Sequence, residues 1–101
     1  MENRIELNSL LESILESENV YAQSPESIRM EYPAIKYSLE NFDVKFANNS
    51  PYRTKSRYTV TLIDRDIDSG YVDKLRALPY CSMSRYYPSD GLHHWVFTLY
   101  Y

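Results

Sequence analysis

The last ten residues, Leu92-His93-His94-Trp95-Val96-Phe97-Thr98-Leu99-Tyr100-Tyr101, constrain this chain more than any other stretch. They have the composition of one β-strand that runs to the final residue. Side chains of a strand alternate between two faces. His93, Trp95, Phe97, Leu99 and Tyr101 share one face, which is almost wholly apolar. His94, Val96, Thr98 and Tyr100 share the other, which is half apolar. Chain ends are usually frayed and polar unless something ties them down. A terminal strand this aromatic is expected inside a sheet, either with part of its second face covered by another subunit or as a plain central strand with a helix on one face.

The chain has 101 residues, enough for one domain spanning 1–101. A domain of this size supports one modest core. Tyrosine is the unusual component, at 11 residues. Tyrosine brings a large contact area with few rotatable bonds and is enriched at protein interfaces. It also favours strands, and many of these tyrosines lie in strand-like runs.

Charge argues against nucleic-acid binding as the main activity. The formal net charge is −3, and the densest positive run, Arg53-Thr54-Lys55-Ser56-Arg57, is short for a nucleic-acid footprint. Apolar runs are far shorter than a membrane span. No charged segment followed by an apolar one opens the chain, so no signal peptide is expected. The single cysteine, Cys81, cannot form an internal disulfide, which fits a reducing compartment.

Along the chain, Leu7, Leu10, Leu11, Ile14 and Leu15 form the buried stripe of a helix over 4–18. Asn19 is its expected stop. Val20-Tyr21-Ala22-Gln23 is short and extended, and Pro25 ends it. Pro33 opens a strand over 34–40, where proline forfeits no needed ladder bond. Residues 41–56 are expected to be a long polar connection centred on Asn48-Asn49-Ser50-Pro51. Connections this long are often functional or mobile. Phe42, Phe46 and Tyr52 within it are candidate anchors for a partner.

Residues 57–65 form a second strand, with Tyr58, Val60 and Leu62 opposite Thr59, Thr61 and Ile63. Asp66 to Ser69 offers N-caps for a helix over 69–78, which Pro79 ends. Residues 80–87 form a third strand. Pro88-Ser89-Asp90-Gly91 turns it into the C-terminal strand as an antiparallel hairpin. The predicted fold is α+β, with a four-stranded, mainly antiparallel sheet and two helices on one face, in the order α-β-β-α-β-β. The other sheet face is left with apolar and aromatic side chains and no internal partner. Large exposed apolar patches are rare on monomers, so an oligomer is expected.

The motifs argue against catalysis. Asp64-Arg65-Asp66-Ile67-Asp68-Ser69-Gly70 has the alternating oxygens of a calcium loop. It places Ser69 where the sharp turn wants glycine and Leu75 where a bidentate glutamate belongs. A strand end with helix caps accounts for it. His93 and His94 are adjacent in a strand, so they point to opposite faces and cannot chelate one metal. Cys81 has no second cysteine nearby and no glycine-flanked elbow. With only Gly70 and Gly91 present, no phosphate-cradling loop is possible. No catalytic residue, metal site or cofactor is expected.

The run Tyr58-Thr59-Val60-Thr61-Leu62-Ile63-Asp64-Arg65-Asp66, with Asp68-Ser69 beyond it, resembles a tail protein family of long-tailed phages of Gram-positive bacteria. So do the helix from Val72 to Leu78-Pro79, the closing His94 to Tyr101, and the earlier Ser27-Ile28-Arg29-Met30 with Tyr32-Pro33. The family is the tail terminator, or tail completion, proteins, and the resemblance covers nearly the whole chain. It implies an α+β subunit of a six-membered ring that caps the tail tube and docks to the head connector. Its partners would be copies of itself, the tail tube protein and the connector or neck proteins. Genomic DNA would pass through the lumen without specific binding, which an acidic or neutral wall favours. The subunit would be made in the host bacterial cytoplasm and reside in the virion. Phe42, Phe46, Tyr52, Trp95, Tyr100 and Tyr101 are the interface candidates. The competing readings are a head-side neck or stopper protein and a small monomeric enzyme or regulator.

Overall fold

The computed structural model describes residues 2–22, 31–45 and 54–101, with side chains described for 4–22, 31–40 and 56–101. The elements are α1 (Glu2–Leu15), β1 (Val20–Ala22), β2 (Ala34–Lys45), β3 (Thr54–Asp64), α2 (Tyr71–Arg76), β4 (Cys81–Ser89) and β5 (Leu92–Tyr100). The class is α+β, as expected. The sheet differs from expectation: it has five strands, in the order β1-β2-β3-β5-β4, and it is mixed. β1 pairs parallel to β2, and every other pairing is antiparallel. The added strand is the three-residue Val20–Ala22. A segment that short carries no periodicity that would place it in a sheet.

The core lies under one sheet face. Leu7, Leu11 and Leu15 from α1 and Leu75 from α2 meet Ile35 and Tyr37 of β2, Tyr58, Val60 and Leu62 of β3, and Trp95, Phe97 and Leu99 of β5. Alternation therefore works as read in β3 and β5. Tyr37 ties the layers together: its hydroxyl donates to Asn8 Oδ1 on α1 at 2.8 Å, and its ring meets Tyr58 edge-on.

α1 ends at Leu15 rather than at residue 18, because Glu16 adopts the left-handed conformation with φ 57°. Asn19 is not the helix stop but a brace between β1 and β2. Its Nδ2 donates to the Pro33 carbonyl at 3.3 Å and its carbonyl accepts from Ile35 N at 2.9 Å. α2 is shorter than predicted and starts after Gly70, which provides no side-chain cap. The aspartates before it cap a turn instead. Asp64 Oδ1 accepts from Asp66 N at 3.2 Å, and Asp66 Oδ1 accepts from Asp68 N at 2.9 Å.

The expected 41–56 connection is strand at both ends, and 46–53 lie outside the described residues. β2 continues to Lys45 and β3 begins at Thr54. Two register shifts, between Leu39 and Asn41 and between Asn41 and Val44, interrupt the ladder there. Such irregularities admit polar residues that are poor strand formers, which is why composition pointed to a loop. β5 pairs with β3 only from Arg57 onward, so the outer parts of β2 and β3 form a two-stranded ribbon beyond the rest of the sheet. The β4–β5 turn is tighter than a four-residue reading. Ser89 pairs with Leu92, and Asp90 and Gly91 take φ of 54° and 76°, the two positive angles that a type I′ hairpin requires.

Candidate functional site

The face away from the helices is built by one cross-sheet row. The register sets Lys36 opposite Thr61, Thr61 opposite Val96, and Val96 opposite Arg85. These four side chains cross β2, β3, β5 and β4 in turn. Flanking rows add Ser38, Thr59, Thr98 and Ser82 on one side, and Ala34, Ile63, His94 and Tyr87 on the other. The result is a trough of about 490 Å³ with Lys36 and Arg85 on opposite banks and hydroxyls between them. Thr61 is buried in its floor. Glu40 stands at its Thr59 end and accepts a hydrogen bond from Thr59 Oγ1 at 2.9 Å. This face was expected to be apolar and aromatic. It is mostly hydroxyl and cationic, because the threonines of β3 and β5 fall on it while the large apolar residues fall on the core side.

Aromatic stacking braces the β4–β5 hairpin on both faces. On the trough side the Tyr87 and His94 rings stack at 4.6 Å, and the Arg85 guanidinium sits 5.0 Å above Tyr87. On the helix side Tyr86 stacks on His93 at 5.9 Å, and its hydroxyl lies 2.6 Å from His93 Nδ1. Burial lowers the His94 pKa from its ordinary value, and the Lys36 charge adds to this. The backbone groups of Tyr87 and Leu92 and the Asp90 carboxylate oppose them. His94 Nδ1 is buried with no hydrogen-bond partner among the described residues.

The sign of the pH effect follows. Below about 6.5 the unfolded chain takes up a proton that folded His94 resists. This contribution to stability is therefore complete above that pH and declines as pH falls below it. His94→Gln should reduce the loss of stability between pH of about 7.5 and about 5.5. Urea titrations of both proteins at the two pH values check this, and an unchanged difference would contradict it.

The other exposed feature is β4 itself. It is an edge strand of nine residues, whereas the opposite edge, β1, has three. A register shift between Met83 and Arg85 marks a bulge. Along this strand and just before it, Met83, Tyr86 and Tyr80 are 47%, 39% and 52% exposed. Long edges with exposed apolar side chains invite pairing with another chain, although a bulge and Pro88 moderate that tendency.

Of the six interface candidates, the three whose side chains are described, Trp95, Tyr100 and Tyr101, do not converge. Trp95 is 6% exposed and belongs to the core: the inward alternation of β5 places it between β3 and Tyr86, whose ring lies 5.6 Å away. Tyr100 and Tyr101, both half-buried, line a small apolar hollow of about 170 Å³ with Leu10, Leu78, Pro79 and Tyr80. Phe42 lies in β2, but its side chain is outside the described residues, as are Phe46 and Tyr52 entirely. Lys36, Arg85, Met83 and Tyr86 were missed. Their signal depends on the β4 bulge and on which strand is the edge, and local spacing encodes neither.

Burial raises the Cys81 pKa, which keeps its thiol protonated. Among the described residues no group of three or more metal-ligating side chains occurs, and no helix is long and apolar enough to cross a membrane. No family model, curated protein or solved structure matches this chain.

Proposed function

We propose that this chain is a non-enzymatic structural subunit of a phage tail, which assembles as a ring, caps the tail tube and forms the joint to the head connector. The observation that carries the reading is the open edge strand β4, with Tyr80, Met83 and Tyr86 exposed beside it. A single copy leaves that edge and that apolar strip uncovered, and neighbouring subunits would cover them. The resemblance of nearly the whole chain to tail terminators supplies the identity of the assembly. Its partners would then be further copies of itself, the tail tube protein and the connector or neck proteins. DNA would traverse the lumen without specific contacts, and the protein would reside in the virion.

Loss of a tube cap should release tube growth rather than stop it. A nonsense codon at Glu12 should give filled heads without tails, beside tails of abnormal length or tails unable to join. Electron micrographs of such lysates test this. Tails of normal length with capped ends, beside leaking or empty heads, would refute the cap and favour a head-side stopper.

A further inference from the structure

Two surfaces of this chain carry complementary charge. The first is the trough, with Lys36 and Arg85 on its banks and Thr61 and Val96 between them. Strands stand about 4.8 Å apart, so the two cationic residues start roughly 14 Å apart and reach over an apolar and hydroxyl floor. The second is the turn between β3 and α2. Its tip is Asp66-Ile67-Asp68: both aspartates are exposed, and Ile67 is 60% exposed. The Asp64 and Asp66 carboxylates cap backbone N–H groups within the turn, which holds this tip in one shape. Arg65, the one cation in the turn, is placed over the Tyr32 ring of its own chain at 5.8 Å. The tip therefore presents an apolar side chain flanked by two anions. The trough presents an apolar and hydroxyl floor flanked by two cations, with the Glu40 carboxylate confined to its Thr59 end.

We infer that the Asp66-Ile67-Asp68 tip of one copy seats in the Lys36–Arg85 trough of the next copy, as the contact that propagates the ring. The inference rests on the ring reading above and names its interface. The turn lies at the sheet end where Asp64 pairs with His93, whereas the trough lies on the sheet face. A two-fold pair that exchanged both contacts would stop at the mass of two copies, and a wild-type chain that stops there overturns this contact. Repeated in one direction from copy to copy, the contact is head-to-tail, the type that forms closed rings when its rotation permits. Opposite charges at its margins steer the encounter and fix the register. They also make it sensitive to salt, since added ions shorten the range of exposed charges to about 10 Å at 0.1 M and about 3 Å at 1 M.

Native mass measurement of the purified full chain tests the contact, against 12.0 kDa for one copy. Lys36→Glu with Arg85→Glu should reduce the ring to single copies, and so should Asp66→Lys with Asp68→Lys. Both double variants alter partly or fully exposed side chains, and circular dichroism and thermal midpoints verify that they fold. The quadruple variant, with the charges exchanged on both sides, should recover the ring. Mixing the two double variants should also restore higher masses, because each then meets a complementary neighbour. Wild-type rings should dissociate at high salt. Rings that persist in both double variants, or that are lost and not recovered by the quadruple variant, overturn this contact. Rings that persist in Lys36→Glu/Arg85→Glu but no longer bind purified tail tube protein overturn it too, and assign the trough to that partner. A wild-type chain that stays at the mass of one copy overturns the ring reading itself.

Discussion

Removing Leu99, Tyr100 and Tyr101 should leave the chain at or below the limit of stable folding. Leu99 is 1% exposed and sits in the central core cluster. The last two residues hold three backbone hydrogen bonds across the sheet. Tyr100 N donates to the Tyr80 carbonyl at 3.1 Å, Tyr101 N to the Ser56 carbonyl at 3.0 Å, and Ser56 N to the Tyr101 carbonyl at 3.1 Å. Loss of the buried leucine alone costs about 2–5 kcal/mol. The hydrogen bonds and the partly buried tyrosine rings add to that. Domains of this size have about 5–15 kcal/mol in total. Thermal unfolding of the truncated chain should show a midpoint lowered by tens of degrees or no cooperative transition. A soluble protein with the full-length midpoint would contradict the placement of β5 at the centre of the sheet.

Phe97→Ala should be the most costly single substitution. Phe97 is fully buried and lies opposite Val60 on one neighbouring strand and Met83 on the other. Buried phenylalanine replaced by alanine costs about 3–5 kcal/mol, partly for lost transfer and partly for the cavity. Thr98→Ala, one residue along and on the trough side, is the control. It removes a half-buried hydroxyl and should cost under about 1 kcal/mol. Urea denaturation of both variants gives the comparison. Equal losses would mean that the two faces of β5 are not divided between core and trough as described.

The elements that were legible in the sequence are those whose periodicity is long and whose burial is one-sided. β3 and β5 alternate over eight or more residues, and their core faces are the ones the alternation predicts. α1 carries Leu7, Leu11 and Leu15 at helical spacing, and these three are fully buried. The rest depended on partners that a local window cannot see. β1 is strand because β2 is beside it. The polar residues from Asn41 to Lys45 are strand because the irregular ladder with β3 accommodates them. Trp95 was an interface candidate because it is large and near the terminus, yet the neighbours of β5 put it in the core. The trough cations escaped notice because Lys36 and Arg85 are 49 positions apart in the chain and meet only through two intervening strands.

If the chain works as a ring in the tail, the copy number at the neck reveals it. Electron-microscopic reconstruction of intact virions should show one closed ring between the tail tube and the head connector. Its subunit density should hold the five-stranded sheet and two helices, with the β3–α2 turn of each subunit against the trough face of the next. Virions whose neck density has no repeated subunit of this shape, or in which the chain is present as single copies, would contradict the account.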